Sequence, residues 1–411
     1  MRSFRIHNLY LGINLFIFRL TKFAVNILGA RLLSSAAFGM FAYIYSFCDI
    51  FVHIFGLGVD IAASRRWSES AEPAQDIGLK VRWQQAAIIK GFLSLFGAAC
   101  GFIFLPWPYS AAFGLWHVCF MQSKLAYGFV NTMLYPRGVL VAGLVSQTAL
   151  LAAVYVGITY WGLLGFILAF AAERMFEAVC LWLAIFIKLP LLREGWLIAL
   201  RAVFDNNGCK VSGYLFSRPT FVIWLAQLIG VLVARADALL VKSFLDYHAL
   251  SIYFLACRTA EAPLFLFAAI ADSSLAYFIR HEREREVNYK ESVTKALWLG
   301  GALSLVLCLF GLSGIAEWVF GRQYDGVGII LAAYSWVLLL RGANMVSSSL
   351  LLATGRESDL LKTTFYGLAV NIIGNILLLP ILGLWGGVLC AVSAEACIYL
   401  TRARLMVIKP L

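Results

Sequence analysis

Long apolar segments, separated by short polar ones, account for most of the chain. A helix needs about 20 apolar residues to cross the roughly 30 Å of hydrocarbon in a bilayer, and these segments have that length. They lack the alternation of apolar and polar residues that spanning strands require, which excludes a transmembrane barrel. The pattern predicts an all-α integral membrane protein with twelve spans, approximately at residues 9–30, 38–59, 84–105, 110–131, 138–160, 162–187, 216–242, 250–276, 293–316, 327–353, 362–382 and 385–407.

Composition agrees with a membrane protein. Of the 411 residues, 62% are hydrophobic and 13% are charged, whereas a soluble domain has about half apolar and a quarter charged residues. The nine cysteines are scattered, mostly within the spans, and do not follow the spacing of a metal-binding motif. The sequence also has no glycine-rich phosphate loop of the ATPase type. We therefore expect no metal and no cofactor.

Basic residues indicate the orientation of the chain in the membrane. If the N-terminus and every second loop are cytoplasmic, that side carries 22 Lys and Arg residues, and the opposite side carries Arg31, Lys242 and Arg322. Both termini are then cytoplasmic, which requires an even number of spans. The cytoplasmic segments also hold 11 acidic residues, so they account for the whole net charge of +11. This charge reflects topology and does not indicate a nucleic-acid partner.

The chain contains an internal repeat at an offset of 212 residues. Residues 33–41 correspond to residues 245–253, and each segment forms a short outer turn between the first two spans of a six-span block. The same offset aligns Asp60 with Asp272. Because each block has an even number of spans, both insert with the same orientation, as parallel repeats.

The repeat predicts two lobes, residues 1–187 and 214–411, joined by a cytoplasmic linker at residues 188–213. A second match supports this division, since the glycine-flanked turn at residues 162–165 recurs at residues 383–386. Parallel repeats of this kind place a substrate cavity between two lobes that rock. The apolar residues of the linker fall largely on one helical face, which indicates an interfacial helix. An ordinary linker is the alternative.

Apart from the residues counted with the loops, sixteen charged residues lie within or directly beside the predicted spans, eight basic and eight acidic. One charge at the bilayer centre costs about 2.5–3.5 kcal/mol on insertion scales, so such residues usually face a cavity or a partner. Arg19 and Arg341 lie deepest, and Lys22 shares a helix face with Arg19. Together with Lys124 and Arg235, they are our candidates for a cationic substrate-binding cavity. The alternative for each is a structural bond to a neighbouring helix.

Five acidic residues are candidates for ion coupling or gating: Asp49, Asp237, Glu395, Asp60 and Asp272. Burial favours the protonated form of a carboxylate, which suits a proton carrier. For Asp49 and Glu395, the alternative is a salt bridge to one of the deep bases. Asp60 and Asp272 occupy matching positions near the cytoplasmic surface, where we expect cap or gate residues beside the basic loops.

Other charges lie close to opposite charges on the same helix. Arg258 and Glu261 are three residues apart, and Arg174 has acidic neighbours on the sixth span. Residues three or four apart share a helix face, so we expect local structural ion pairs at both places. Lys90 lies near the inner end of its span, and we expect its side chain to extend toward the cytoplasm.

Short motifs along the whole chain resemble those of a known family. Residues 30–39, Ala-Arg-Leu-Leu-Ser-Ser-Ala-Ala-Phe-Gly, resemble the ARLLGxxxFG segment of the Wzx-type flippases. These are polysaccharide transporters of the multidrug/oligosaccharidyl-lipid/polysaccharide (MOP) superfamily. The second half shows further similarity at residues 235–240, 320–324 and 371–386.

The resemblance implies a flippase rather than an enzyme. Its substrate would be an undecaprenyl-diphosphate-linked oligosaccharide, such as an O-antigen unit for lipopolysaccharide biosynthesis. Alternating access would move it from the cytoplasmic to the periplasmic leaflet of the bacterial inner membrane. A polysaccharide polymerase and a chain-length regulator would be partners, beside membrane lipids. The chain departs from the family pattern at two places. Ser34 and Ser35 replace the usual Gly-Pro turn, and Asn26 occupies the position in the first block that Asp237 occupies in the second.

Two other classes of function are alternatives. A multidrug antiporter for organic cations has the same superfamily fold, but it needs carboxylates rather than arginines in its cavity. A membrane polysaccharide polymerase needs large outer loops for its chemistry, and the outer loops of this chain extend for about ten residues or fewer. The deep arginines therefore favour an anionic substrate.

Overall fold

The computed structural model describes residues 2–60, 77–132, 136–188, 199–200, 203, 218–280 and 285–408. In these ranges the chain is helical and contains no strand. The first six helices are α1 (Arg2–Leu32), α2 (Ser35–Gly56), α3 (Ile77–Phe104), α4 (Tyr109–Thr132), α5 (Pro136–Lys188) and α6 (Arg218–Phe244). The others are α7 (Tyr247–Glu261), α8 (Leu264–Arg280), α9 (Arg285–Leu312), α10 (Ile315–Phe320), α11 (Val327–Tyr334), α12 (Val337–Ala353), α13 (Glu357–Leu382) and α14 (Leu384–Ile408).

Every predicted span overlaps one of these helices or two successive ones. Nine stretches in the described ranges are long and apolar enough to cross a membrane, or ten if α7 and α8, bent by 44°, form one span. The 53 residues of α5 suffice for two spans, and its backbone leaves the helical conformation at Gly162. If α7 and α8 form one span, α5 is counted as two spans and the less apolar α4 is added, the total is the twelve predicted spans. The predicted fold class is confirmed.

The repeat is visible in the local structure of the two halves. Two residues link α1 to α2, and two residues link α6 to α7. In the first link, the Ser34 side chain accepts a hydrogen bond from the amide of Ala37 at 3.3 Å. In the second, Asp246 accepts one from the amide of Ala249 at 2.7 Å. Each side chain satisfies a free amide at a helix N-terminus, so the two turns are built in the same way.

Two glycines repeat the same backbone conformation. Gly162 interrupts α5 with φ 55° and ψ −129°, and Gly383 separates α13 from α14 with φ 57° and ψ −137°. A side chain rarely adopts this conformation, because its Cβ would clash with the backbone. Glycine therefore allows the chain to reverse direction between the fifth and sixth spans of each block.

Residue contacts divide the chain into two compact units. The first unit comprises Met1–Thr21 with Cys48–Trp224, and the second comprises Lys22–Phe47 with Leu225–Leu411. The core of the first unit forms around residues such as Trp83, Phe129 and Leu181. One core of the second forms around residues such as Phe267, Phe278 and Leu338.

Most of the predicted linker at residues 188–213 lies outside the described residues. The division into lobes at residues 1–187 and 214–411 stays a prediction.

We expect Gly162→Ala and Gly383→Ala each to destabilise the protein by about 1–3 kcal/mol, because alanine is strained at this backbone conformation. Both sites have open space around the position of a Cβ atom, so steric contact adds nothing. Gly230→Ala is the matched control, since its site is equally open and its backbone is helical. Thermal unfolding of the detergent-solubilised variants measures the effect. Equal melting temperatures for all three variants would contradict this explanation.

Candidate functional site

Three arginines from three helices of the second unit meet at the carboxylate of Glu261. Arg341 on α12 donates to Oε1 at 2.8 Å. Arg258 on α7 donates to Oε2 at 3.1 Å, and Arg235 on α6 lies 3.4 Å from the same oxygen. The Glu261 side chain is only 5% exposed. A buried carboxylate is stable only when charged or polar partners replace water, and these arginines do so.

A second carboxylate extends this cluster to α14. The Nε atom of Arg341 donates to Oε1 of Glu395 at 2.6 Å, so Arg341 bridges Glu261 and Glu395. The side-chain amide of Asn344 donates to Oε2 of Glu395 at 2.8 Å. The planar fork of arginine suits this bridging, because its donors point in fixed directions.

Arg402 anchors the same region without a carboxylate partner in direct contact. Its side chain is 3% exposed, although its sequence position suggested a cytoplasmic residue. It donates to the carbonyl oxygen of Asn344 at 2.7 Å and to the hydroxyl of Ser348 at 2.8 Å. Its other guanidinium atoms donate to Thr363 and Thr364, each at 3.1 Å. Neutral oxygens thus hold a charged group in the interior.

Arg258 combines a shared carboxylate with aromatic contacts. Its guanidinium carbon lies 4.4 Å from the ring centre of Tyr45 and 4.9 Å from that of Phe254. These distances are typical of cation–π attraction. Its Nη2 atom is buried and donates no hydrogen bond to any described residue. Arg258 therefore has hydrogen-bonding capacity for a further acceptor.

Counted together, the charges of this cluster favour an anion. Three arginines, Arg235, Arg258 and Arg341, contact two glutamates, Glu261 and Glu395. One positive charge remains among these five side chains. We call them the arginine cluster. Arginine binds phosphate oxygens through two parallel hydrogen bonds, which makes a phosphate group a suitable ligand for such a cluster.

Asp237 is nearly fully buried and accepts its hydrogen bonds from groups outside the arginine cluster. Its Oδ2 atom accepts a hydrogen bond from the hydroxyl of Tyr253 at 2.6 Å, and Oδ1 accepts one from the amide of Ala238 at 2.7 Å. The side chain is 3% exposed. As the spacing of two residues predicts, Asp237 and Arg235 have different partners.

The first unit contains another group of charged side chains. The ammonium of Lys124 on α4 lies 3.0 Å from Nε2 of His53 on α2. The Nδ1 atom of His53 lies 2.8 Å from the carbonyl oxygen of Asp49, one helical turn earlier. Asp49 and Lys124 were among the predicted site residues, whereas His53 was not. The spacing of four residues between Asp49 and His53 was a signal that pointed to it.

Asp60 and Lys90 form a separate ion pair in the first unit. Their charged atoms lie 3.3 Å apart, and the Lys90 side chain is fully buried. Lys90 therefore does not extend toward the cytoplasm as we expected, because Asp60, four residues after the end of α2, supplies a counter-charge inside the protein. The basic loop that we expected to contact Asp60 lies outside the described residues.

Three predicted site residues lie elsewhere. Arg19 is half-buried and belongs to the first unit, whereas Lys22, also half-buried, belongs to the second. Asp272 is exposed on α8. Of the ten selected residues, the arginine cluster thus includes Arg235, Arg341 and Glu395. The roles assigned to all ten stay predictions.

The local ion pairs differ from each other in their surroundings. Arg174 contacts Glu177 at 2.6 Å, as the spacing predicts, and its guanidinium lies 4.2 Å from the ring centre of Phe120. Arg258 contacts Glu261 as predicted, but Glu261 also binds two other arginines. The second pair is thus part of a larger arrangement.

Comparison with solved structures identifies the fold. The lipid II flippase MurJ in an inward closed conformation superposes with a TM-score of 0.70 at 16% identity, covering 95% of this chain and 87% of MurJ. An inward-facing multidrug resistance transporter of the MATE family, in the MOP superfamily, gives 0.66 at 16% identity, covering 95% of both chains. A MOP transporter from Pyrococcus furiosus, described as having a binding pocket of reversed polarity, gives 0.63 at 15% identity, covering 98% and 96%.

No protein-family model and no curated protein matches this chain. The structural likeness nevertheless covers nearly its full length. The chain therefore has the fold of the MOP superfamily transporters. Its apolar helices and this fold define a multi-pass membrane protein.

We expect Glu261→Gln to lower the melting temperature of the purified protein strongly. Removing one partner from a buried ion pair costs about 3–5 kcal/mol, and here three arginines lose their shared negative charge. Glu286→Gln is the control, because Glu286 forms an exposed pair with Lys290. We expect no measurable change for this control. A Glu261→Gln protein as stable as the control would show that Glu261 does not balance the arginines.

Proposed function

We propose that this protein is a flippase that moves an undecaprenyl-diphosphate-linked oligosaccharide outward across the bacterial inner membrane. The observation that carries this proposal is the convergence of Arg235, Arg258 and Arg341 within membrane-spanning helices. Charged side chains at this depth are costly and mark substrate pathways in membrane proteins. The fold supports a transporter, and the arginines support an anionic substrate.

A diphosphate head group fits the chemistry of this cluster. It offers several phosphate oxygens to the guanidinium groups, and each contact is a charge-assisted hydrogen bond. The buried Nη2 atom of Arg258 can donate such a bond without breaking another one. Among the proteins with this fold, MurJ is described as a lipid II flippase, and it is thus a precedent for a lipid-linked substrate.

The membrane potential favours outward movement of this substrate. With the inside negative, each negative charge moved outward gains about 2.3 kcal/mol per 100 mV. A secondary transporter with two lobes that alternate in access then needs no nucleotide. The surface-polysaccharide pathway, with O-antigen as one example, would supply a polymerase and a chain-length regulator as partners on the outer face.

A multidrug antiporter is the second candidate, because MATE transporters have the same fold. Export of organic cations requires a site in which negative charge dominates. In the arginine cluster both glutamates already contact arginine, so they attract a cation less strongly. The cluster thus favours the flippase over the antiporter.

We expect Arg258→Ala and Arg341→Ala each to weaken binding of an isoprenoid diphosphate at least tenfold. A hydrogen bond to a charged group contributes about 1.5–3 kcal/mol, and 1.4 kcal/mol is a factor of ten. Farnesyl diphosphate is the probe, and calorimetry on the purified full-length protein measures its affinity. Arg341→Lys keeps the charge but loses the fork, so an intermediate loss is expected. Arg356→Ala, which removes a pair with Asp359 in the turn before α13, is the control.

The same variants test the function in cells. In a strain that depends on this protein for its surface polysaccharide, Arg19→Ala, Arg258→Ala and Arg341→Ala should reduce the polymer at equal membrane abundance. Normal polymer in all three variants would contradict the proposal. The alternative outcome is that expression of the protein increases ethidium resistance in an efflux-deficient host and that all three variants keep this resistance. That outcome would instead support the multidrug antiporter.

A further inference from the structure

The contact between Lys124 and His53 fixes where the imidazole proton lies. A lysine ammonium donates hydrogen bonds and accepts none. At 3.0 Å from Lys124, the Nε2 atom of His53 must therefore accept, which leaves it without a proton. The proton of the neutral ring then lies on Nδ1, where it is donated to the carbonyl oxygen of Asp49 at 2.8 Å.

This arrangement excludes a second proton from the ring while Lys124 stays in place. Protonated Nε2 would have no lone pair for Lys124, and two positive charges would face each other. The carboxylate of Asp49, 3.9 Å from Nδ1, would in contrast stabilise a protonated ring. His53 thus lies between one group that opposes its charge and one that favours it.

A further ion pair lies near His53. Asp60, which follows the end of α2, pairs with Lys90 on α3. The indole nitrogen of Trp224 on α6 donates to the backbone carbonyl of His53 at 2.8 Å, so the backbone is fixed at this residue. The side chains of His53 and Asp49 are 16% and 18% exposed, which leaves the ring partly accessible. Among the charged groups described around His53, Lys124 is the one whose contact opposes a proton on Nε2.

We propose that His53 is a proton-binding site whose occupancy is coupled to the binding of a phosphate anion at Lys124. The inference rests on the proposed function, because it takes the substrate to be a diphosphate. An anion that withdraws the Lys124 ammonium frees the lone pair of Nε2. One proton from water then forms an N–H bond at Nε2, and no oxidant or reductant takes part. When the anion leaves, Lys124 returns and the proton dissociates.

Coupling of this kind is reciprocal. If anion binding promotes protonation of His53, then protonation of His53 strengthens anion binding by the same factor. Anion occupancy at Lys124 and proton occupancy of His53 would therefore rise and fall together. This links substrate binding to a residue that was not among the predicted site residues.

The test measures the number of protons taken up when farnesyl diphosphate binds to the purified full-length protein. Calorimetry at pH 7.0 in two buffers of different ionisation enthalpy gives this number. We expect the wild-type protein to take up more protons than His53→Gln, with a difference of up to about one proton per ligand. Glutamine can still accept from Lys124 and donate to the carbonyl, but it does not titrate. Subtracting the value for His53→Gln from the wild-type value removes the protons that farnesyl diphosphate itself takes up or releases.

Two further variants make the result specific. His248→Gln is the control for removal of a histidine, since His248 is exposed and contacts Ser35 at 2.9 Å. It should take up as many protons as the wild type. Lys124→Arg keeps a positive donor beside His53 and should retain the uptake.

The outcomes separate the two proposals. Equal proton uptake by wild type and His53→Gln, with both binding the ligand, would overturn the coupling at His53 and leave the flippase proposal intact. If the wild-type protein binds no farnesyl diphosphate, the diphosphate substrate is overturned, and the coupling is overturned with it.

Discussion

The shared carboxylate of Glu261 is the interaction on which the second unit depends. An arginine inside a membrane helix is costly unless a counter-charge lies within reach. Each of the helices α6, α7 and α12 contributes one such arginine. Glu261 balances them with two oxygens, and Glu395 supplies a second carboxylate to Arg341. The packing of four helices is thus coupled to one set of charges. Any ligand that alters the contacts of Glu261 also alters the interaction between these helices.

Hydrophobic length predicted the spans well, because crossing a bilayer imposes nearly the same length on every helix. The predicted breaks around Gly162 and Gly383 lie where the structure has them, since glycine leaves few alternatives at such turns. The bend between α7 and α8 was not predicted. The break lies at Pro263, which lacks a backbone N–H and interrupts a helix, so the sequence held a signal that we did not use.

The charged contacts were predictable only where they are local. A spacing of three residues predicted Arg258 with Glu261 and Arg174 with Glu177. Arg341 meets Glu261 across 80 residues of sequence, and Lys124 meets His53 across 71. Such contacts depend on how helices pack, which a single sequence does not specify. Deep charges predicted that partners exist, but not which residues they are.

The two blocks of the repeat share the same helix caps and glycine turns but differ in their charged side chains. Ser34 and Asp246 cap equivalent helices, and two glycines reverse the chain at equivalent points. In contrast, the second unit contains an arginine cluster, whereas the first contains Lys124 beside His53. Backbone turns constrain the fold, so both copies retain them. Charged side chains do not set the path of the backbone, so each block can change them independently.

The partial charge balance of the arginine cluster bears on the proposed transport. A site of unopposed arginines would bind a diphosphate tightly and release it slowly, whereas transport requires both steps. In the proposed transport, Glu261 would compete with the ligand for the same guanidinium groups, so it would lower affinity and provide a partner when the ligand leaves. A partially balanced site would therefore suit translocation better than a purely cationic one. In the proposed coupling, Lys124 would likewise return to His53 after release.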